Sequence, residues 1–171
     1  MRLSRAVVFS GTRTSPQAIA TYYKRIPAPP RPAVFLDSLQ FRSGTTGYGT
    51  IQKGKNLDGD PLRLGGTEYP EGLAVHTNSI LTYALDPTWR RFVAIVGIDD
   101  HIGPRGSIQC EVRIDGKLHA RTPLLKGNET RLWHLDVAIP DGAKEISLIA
   151  NDAGDGYGHD HTNWAQAGFL P

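Results

Sequence analysis

The residues with the greatest capacity for chemistry lie together between Asn151 and Trp164. This segment carries three carboxylates and two imidazoles, namely Asp152, Asp155, Asp160, His159 and His161. The glycines between them let the backbone turn sharply. A polar segment this short cannot form a hydrophobic core, so we expect a rigid scaffold to hold it as a loop.

Such a loop has side chains of the types that a sugar site needs, and the family resemblance described below implies that function. Planar hydrogen-bonding groups recognise pairs of hydroxyls, and an aromatic ring packs against the apolar face of the sugar ring. We predict carbohydrate contacts in this loop and in others at His76, Asp99, Asp100, Asp155, Asp160, His161, Tyr48 and Tyr157. We expect the loops around His76, Asp99–Gly106 and Asp152–His161 to meet at one end of the scaffold. Trp164 precedes an apolar segment, which favours core packing.

Calcium is a second interpretation of the same loop. Asp152 and Asp155 supply hard oxygen ligands at short spacing, and the nearby glycines would let backbone carbonyls join them. The spacing is not that of an EF-hand, because no Glu closes the loop. The two carboxylates are therefore candidate ligands of a structural calcium ion.

An enzymatic interpretation rests on the two imidazoles. On an extended segment His159 and His161 would place both rings on one face, and with His76 or Asp160 they could bind zinc in a hydrolase. A carboxylate pair could also serve as acid and base in glycoside hydrolysis. The chain contains no Gly-x-Ser-x-Gly nucleophile motif. A structural or protein-binding module of a surface protein is a further alternative.

The polar candidates also have structural interpretations. His76 follows an apolar segment and could bond to the backbone as a buried or turn residue. Asp99 and Asp100 could end a strand, with their carboxylates accepting local backbone hydrogen bonds. The carboxylates of the Asp152–Asp160 segment could organise the loop itself. The sequence leaves these alternatives open.

The composition is that of an ordinary globular domain. The chain has 171 residues, of which 39% are hydrophobic and 21% are charged. Its 19 basic and 17 acidic residues give a net charge of +2 without a basic run, so no nucleic-acid partner is predicted. Cys110 is the single cysteine, which excludes a disulfide framework and cysteine-rich zinc sites.

Neither a membrane span nor a signal peptide is predicted within the chain. No segment approaches the roughly 20 apolar residues that cross a bilayer. The apolar run Ala6–Phe9 is too short for the hydrophobic region of a signal peptide. If the protein is exported, we expect its signal to lie outside this chain.

From Ala33 onward almost every signal indicates short β-strands. Ser107–Ile114 alternates apolar and polar residues before a hairpin turn, and Arg91–Ile98 is typical of a buried central strand. Other predicted strands are Val34–Phe41, Ile80–Leu85, Lys117–Thr122, Leu132–Ile139, Glu145–Ala150 and Trp164–Leu170. Eight or nine short strands without a convincing helix predict an all-β fold, an antiparallel β-sandwich of the jelly-roll type. An immunoglobulin-like sandwich is the alternative.

Residues 1–32 differ from the rest of the chain. Ser15-Pro16 is a favourable helix start, and a short helix is predicted to continue to Arg25. Four prolines between Pro27 and Pro32 favour an extended polyproline linker, hence a domain boundary before a β-sandwich module at 33–171. Thr14–Tyr22 resembles the helix that follows the last strand of laminin-G-like domains. That resemblance implies that the chain is the C-terminal part of a longer protein.

Four ordered motifs carry a second and more extensive resemblance. They are Gly72–Ser79 (GLAVHTNS), Phe92–Asp100 (FVAIVGIDD), Val112–Lys117 (VRIDGK), and Asn151–Gly156 (NDAGDG) followed by Asp160–Ala165 (DHTNWA). In this order and spacing they resemble the NPCBM domain, which is also grouped as carbohydrate-binding module family 51. The likeness covers about Phe35–Leu170.

The resemblance implies a galactose-binding-domain-like β-sandwich that binds sugar without catalysis. Its expected ligand is a galactose-containing glycan or polysaccharide, and its usual neighbour is a glycoside hydrolase domain. Many such modules hold a structural calcium ion. We therefore expect a monomeric module of a larger secreted or cell-surface protein. Where family members often carry tryptophan, this chain has Phe41 and Tyr48.

Overall fold

In the computed structural model, which describes residues 26–156 and 158–171, nearly all regular secondary structure is β-strand. The strands of the described residues are β1 (Val34–Phe35), β2 (Ser43–Thr45), β3 (Gln52–Lys53), β4 (Leu62–Leu64), β5 (Thr67–Tyr69), β6 (Gly72–His76), β7 (Ser79–Ala84), β8 (Arg91–Ile98), β9 (Ser107–Ile114), β10 (Lys117–Arg121), β11 (Leu125–Lys126), β12 (Leu132–Ala138), β13 (Glu145–Asn151) and β14 (His161–Leu170). Two short 3-10 helices, Leu36–Ser38 and Asp100–Ile102, interrupt them.

The strands form two packed antiparallel sheets and a separate hairpin. The first sheet has the order β12-β8-β14-β6-β3, with β1 paired to β14. The second has the order β10-β9-β13-β7-β2, with β11 paired to β9. Strands β4 and β5 pair only with each other among the described residues. The predicted all-β fold, an antiparallel β-sandwich, is confirmed.

The core lies between the two sheets and follows the predicted alternation. On β9 the inward side chains Ile108, Cys110, Val112 and Ile114 are at most 2% exposed. They belong to one cluster that also includes inward residues of β12, such as Trp133. Burial of each large apolar side chain contributes roughly 1.5–3 kcal/mol, so the sandwich is a rigid support for its end loops.

Two predicted strands differ from the structure by more than one residue at an end. The prediction of one strand over Val34–Phe41 is wrong, because the chain turns into a 3-10 helix after Phe35. Ser38 Oγ donates to the Phe35 carbonyl oxygen at 2.8 Å, and this local bond stabilises the turn. The last strand begins at His161 rather than Trp164, because His161 already pairs with His76 of β6.

The proline-rich segment packs against the first sheet. The ring of His134 on β12 donates a hydrogen bond from Nδ1 to the Ile26 carbonyl oxygen at 2.8 Å. Pro29 and Pro32 are buried. A side chain at Gly168 would lie 2.8 Å from Pro32 Cβ, so glycine is needed where this segment crosses β14. We name residues 26–32 the proline strap, since they lie along the sandwich rather than away from it.

The domain boundary at residue 32 stays a prediction, although contacts with the sandwich continue back to Ile26. The predicted helix after Ser15 and the laminin-G-like segment Thr14–Tyr22 lie outside the described residues. Among the described residues, no helix is both long and apolar enough to cross a bilayer.

The strap is expected to contribute to stability. The free energy of unfolding should be about 1–2 kcal/mol lower for a chain that begins at residue 33 than for one that begins at residue 26. The shorter chain loses the His134 hydrogen bond and exposes apolar surface. Urea denaturation of the two chains measures the difference. Arg31→Ala is the control, since its exposed ion pair with Glu71 should be worth less than about 1 kcal/mol. Equal stability of the two chains would show that the strap contributes nothing.

Candidate functional site

The predicted loops meet at one end of the sandwich, where β6 ends and β14 begins. His76 and His161 are directly paired across these antiparallel strands. The backbone N–H of Asp99 donates to the His161 carbonyl oxygen at 3.0 Å, which brings the end of β8 to the same place. The rigid first sheet therefore fixes the spacing of all three loops.

A row of three rings lies at this end. The His76 and His161 rings are 5.3 Å apart between centroids and meet edge to face. The Tyr48 ring lies 5.7 Å from His76 in the same kind of contact. Asp58 and His101 are close enough to interact electrostatically with His161, and 3.4 Å separates Asp58 Oδ2 from His101 Nε2. We name Tyr48, Asp58, His76, His101 and His161 the imidazole patch.

Tyr48 is exposed on a loop that the backbone of β6 holds in place. Its side chain is 67% exposed. The N–H of Gly47 donates to the His76 carbonyl oxygen at 3.0 Å, and the His76 N–H donates to Thr46 Oγ1 at 2.8 Å. A Cβ at Gly47 would lie 1.9 Å from the Thr77 carbonyl oxygen, so only glycine permits this approach. The tyrosine ring is therefore an accessible aromatic surface with a fixed position.

The orientation of His76 is set by a backbone hydrogen bond. Its Nδ1 lies 2.8 Å from the carbonyl oxygen of Thr77. Because a carbonyl can only accept, Nδ1 carries the proton of this hydrogen bond. The side chain is buried beneath Tyr48. The structure therefore matches the interpretation of His76 as a buried residue bonded to the backbone.

His161 is kept neutral at the patch. Burial lowers the pKa of His161 below its ordinary value of 6.5, and the neighbouring His76 ring lowers it further. Asp58 and Asp99 act in the opposite direction without reversing the shift. Near pH 7 the half-buried imidazole can therefore donate one hydrogen bond and accept another, as a hydroxyl ligand requires.

The depressed pKa predicts a loss of stability on mild acidification. The unfolded chain takes up a proton on His161 near pH 6.5, whereas the folded chain resists it until the pH is lower. The melting temperature should therefore fall as pH decreases below about 6.5. In His161→Gln the fall between pH 7.5 and 5.5 should be shallower. Part of the slope should persist, since burial also lowers the pKa of His119. Identical slopes in both proteins would contradict the assignment.

The structure places Asp99 inside the protein rather than at its surface. Asp99 is 1% exposed. Its Oδ1 accepts from the His101 N–H at 2.8 Å, and its Oδ2 accepts from Asn163 Nδ2 at 2.5 Å. The predicted contact of Asp99 with a sugar therefore has no geometric support, because its oxygens hold the second 3-10 helix against β14.

Asp100 joins the second 3-10 helix to the β4–β5 hairpin. Its two oxygens accept from the N–H groups of Gly65 at 2.9 Å and Gly66 at 2.7 Å. Arg131 Nε lies 3.1 Å from Asp100 Oδ1. These bonds match the structural interpretation of this carboxylate better than direct contact with a ligand.

Asp160 is also a structural carboxylate in this arrangement. It is 0% exposed. Its Oδ1 accepts from the Ser107 N–H at 2.9 Å, and its Oδ2 accepts from Thr77 Oγ1 at 3.0 Å. Burial raises the pKa of Asp160, while these two hydrogen bonds lower it in part. The predicted sugar contact is not available to a side chain enclosed in this way, and its role is to join three loops.

The carboxylates of Asp152 and Asp155 form hydrogen bonds within the protein. Asp155 is exposed and accepts a 2.5 Å hydrogen bond from Ser107 Oγ, and Asp152 Oδ1 accepts from the Gly154 N–H at 2.9 Å. Within residues 26–156 and 158–171, no three His, Cys, Asp or Glu side chains are grouped to hold a metal ion. A structural calcium ion held by Asp152 and Asp155 with backbone carbonyl oxygens stays a prediction. Tyr157, a predicted sugar contact, lies outside the described residues.

The two loop imidazoles do not converge on a zinc site. His159 Nε2 lies 3.1 Å from Arg105 Nη1, whereas His161 stands on β14 beside His76. A guanidinium at this distance occupies the nitrogen that a metal would need. The zinc interpretation therefore has no geometric support among the described residues.

Two members of the patch were not predicted from the sequence. Asp58 lies in a loop that Asn56 organises, with Asn56 Oδ1 accepting from the N–H groups of Asp58 and Asp60 at 2.9 Å each. His101 is presented by the 3-10 helix that Asp99 caps. The Asn-x-Asp-Gly-Asp pattern at Asn56–Asp60 is the signal that could have indicated an Asx-type turn with outward carboxylates.

The comparisons with known proteins agree with this architecture. A relative from Renibacterium salmoninarum, named "Putative endo-alpha-N-acetylgalactosaminidase", is 30% identical over 168 residues. That match covers 94% of this chain and 11% of the relative, so the chain spans about a ninth of the relative's length.

Solved structures from Clostridium perfringens share the fold. The CBM51 module of its GH95 protein, in complex with methyl-galactose, is 31% identical with a TM-score of 0.75, covering 80% of this chain and 99% of that one. The second CBM51 module of ZmpB, in complex with GlcNAc and with its INT domains, is 30% identical with a TM-score of 0.73, covering 79% of this chain and 30% of that one. A sequence model of the NPCBM/NEW2 domain matches residues 33–170. With that match running through nearly the whole sandwich, the chain belongs to the NPCBM/NEW2 domain family of carbohydrate-binding modules.

Proposed function

We propose that this chain is a non-catalytic module that binds a galactose-type sugar at the imidazole patch. The observation that carries the proposal is the exposed Tyr48 ring held edge-on against His76, with neutral His161 next in the row. This places an apolar ring surface beside groups that can donate and accept hydrogen bonds.

The shape of galactose suits this arrangement. Its axial O4 leaves a patch of C–H groups on the opposite ring face, which can pack on Tyr48 while the hydroxyl edge faces His161. Asp58 is exposed close to His161 and can accept hydrogen bonds from sugar hydroxyls. The methyl-galactose complex of the similar GH95 module supports this choice of sugar.

Two buried carboxylates support a role without catalysis. Glycoside hydrolysis requires one carboxyl group that donates a proton and another that acts on the anomeric carbon or on water. Asp99 and Asp160 both have their oxygens engaged by protein donors beneath the patch. Neither is positioned to reach a glycosidic bond.

We further propose that the module belongs to a larger exported protein and carries it to galactose-bearing glycans. Support comes from the short share of the relative that the chain covers, 11%, and from a similar ZmpB structure that combines two CBM51 modules with an M60 catalytic domain. We expect the module itself to be monomeric, which light scattering can test.

Calorimetric titration with methyl-galactoside is the direct test of binding. We expect a Kd in the micromolar to millimolar range, with N-acetylglucosamine and glucose as the comparison sugars. Weaker binding of galactoside than of N-acetylglucosamine would overturn the galactose assignment. Failure of all three sugars at millimolar concentration, in a correctly folded protein, would favour a structural or protein-binding module instead.

A further inference from the structure

A polar cavity lies beside the imidazole patch, with Asp100 and His101 of the second 3-10 helix in its lining. This cleft, of about 290 Å³, is bounded by the β4–β5 hairpin and by the loop that precedes it. Its lining includes Asn56, Asp60, Arg63, Glu68, Asp100 and His101. We name it the hairpin cleft.

Hydrogen bonds within the protein hold the floor and part of the wall of the hairpin cleft. Asp100 accepts hydrogen bonds from both N–H groups at the hairpin tip, Gly65 and Gly66, and is itself paired with Arg131. At the floor, Asn56 Nδ2 donates to Asp99 Oδ1 at 3.3 Å, and both side chains are buried. This preformed part of the cleft lowers the entropic cost of holding a small polar ligand.

The cleft and the imidazole patch share a wall. His101 lines the cleft and is also the partner of Asp58 in the patch. The turn organised by Asn56 places Asp58 in the patch and Asp60 in the cleft. These two residues are separated by one position, so their Cα atoms are at most about 7 Å apart. This is similar to the spacing of neighbouring rings in a disaccharide.

Charge in the cleft favours a neutral sugar. Arg63 lies 3.3 Å from Glu68, and Asp100 is paired with Arg131, so these charges are compensated. Within the described residues, the exposed Asp60 carboxylate forms no hydrogen bond or ion pair. It can accept hydrogen bonds from hydroxyl groups, and it would repel a carboxylate on the ligand.

We infer that the hairpin cleft is a second sugar subsite, which binds the neutral residue next to the galactose held in the patch. This inference rests on the proposed function of the patch. The module then recognises at least a disaccharide. Asp60 accepts hydrogen bonds from the second sugar, which a monosaccharide lacks.

Calorimetry with single and paired sugars tests the inference on the full chain. The probes are methyl-galactoside and three disaccharides with terminal galactose, namely galactosyl-glucose, galactosyl-galactose and galactosyl-N-acetylglucosamine. At least one disaccharide should bind about 5- to 10-fold more tightly than methyl-galactoside. Asp60→Ala should remove that gain while leaving the Kd of methyl-galactoside unchanged. Galactosyl-glucuronate should bind at least about 5-fold more weakly than galactosyl-glucose.

Asp141→Ala is the matched control, because Asp141 is an exposed carboxylate in the turn after β12 at the opposite end of the sandwich. It should change none of the affinities.

Equal affinities of the wild-type protein for methyl-galactoside and all three disaccharides would overturn the second subsite while leaving the proposed function intact. An equal loss of both ligand types in Asp60→Ala would also overturn it, by placing the first sugar in the cleft. Binding of galactosyl-glucuronate as tight as that of galactosyl-glucose would refute the charge argument. Absence of binding to every probe would instead reject the proposed function itself.

Discussion

Replacement of Trp164 by alanine is expected to lower the free energy of unfolding by about 3–5 kcal/mol. Trp164 is 0% exposed and lies in the middle of the first sheet, between β6 and β8. Its ring packs near Phe92, with 6.5 Å between centroids. Loss of the indole would leave a cavity that the two sheets cannot close without disturbing β14. Urea denaturation at pH 7.5 measures the change.

Trp89→Ala is the matched control for Trp164. Trp89 is partly buried and stacks on Phe169 with 4.1 Å between ring centroids. Because part of its ring already faces solvent, its removal should cost clearly less, about 1–2 kcal/mol. If Trp164→Ala instead left stability unchanged and abolished sugar binding, Trp164 would be a sugar platform rather than a core residue.

Replacement of Tyr48 by alanine is expected to weaken sugar binding by roughly 30-fold, about 2 kcal/mol. The exposed Tyr48 ring supplies the apolar surface of the proposed site, because the other rings of the imidazole patch are the more polar imidazoles. Stability should change by less than about 0.5 kcal/mol, because the side chain packs mainly at the surface. Tyr48→Phe, which keeps the ring, should retain most of the affinity. Calorimetry with methyl-galactoside provides both values.

Ile80→Ala is the control for nonspecific loss of apolar surface. Ile80 is also a large exposed hydrophobic residue, but it lies on β7 in the second sheet. Its replacement should leave binding unchanged. Retention of full affinity by Tyr48→Ala would remove the tyrosine ring from the binding surface and would place the sugar elsewhere.

The core residues show what the sequence can predict. Trp164 was expected to pack in the core because it adjoins an apolar segment, and the alternation of Ser107–Ile114 correctly identified the inward face of β9. Both inferences depend on short-range periodicity, which a β-sandwich imposes on its strands. The Asp115-Gly116 turn is equally local, with positive φ values of 49° and 80° at its two residues.

The roles of the carboxylates could not be predicted in this way. Asp99 and Asp160 have the residue type of a sugar contact, but the structure buries both. Their partners include Asn163 and Thr77, which lie 64 and 83 positions away along the chain. A single sequence does not reveal such pairings, so a ligand-facing carboxylate and a structural one look alike.

At both ends of the module the sequence-based prediction differs from the structure because residues of polar or linker type are buried. The last strand starts before its apolar segment, because the polar residues Thr162 and Asn163 are buried and interrupt the expected pattern. The proline strap has the composition of a linker, yet Pro29 and Pro32 are buried. His101 and Asp58 come together only through the fold, so their types and spacing along the chain do not indicate a shared site.

The measurement that tests the central claim most directly is a titration of isotope-labelled protein with methyl-galactoside, followed by NMR. We predict saturable shifts of the Tyr48, His76 and His161 signals, with the Ile80 and Ser147 signals of the second sheet unchanged. Shifts confined to the second sheet, or no shifts at millimolar galactoside in the folded protein, would contradict sugar binding at the imidazole patch.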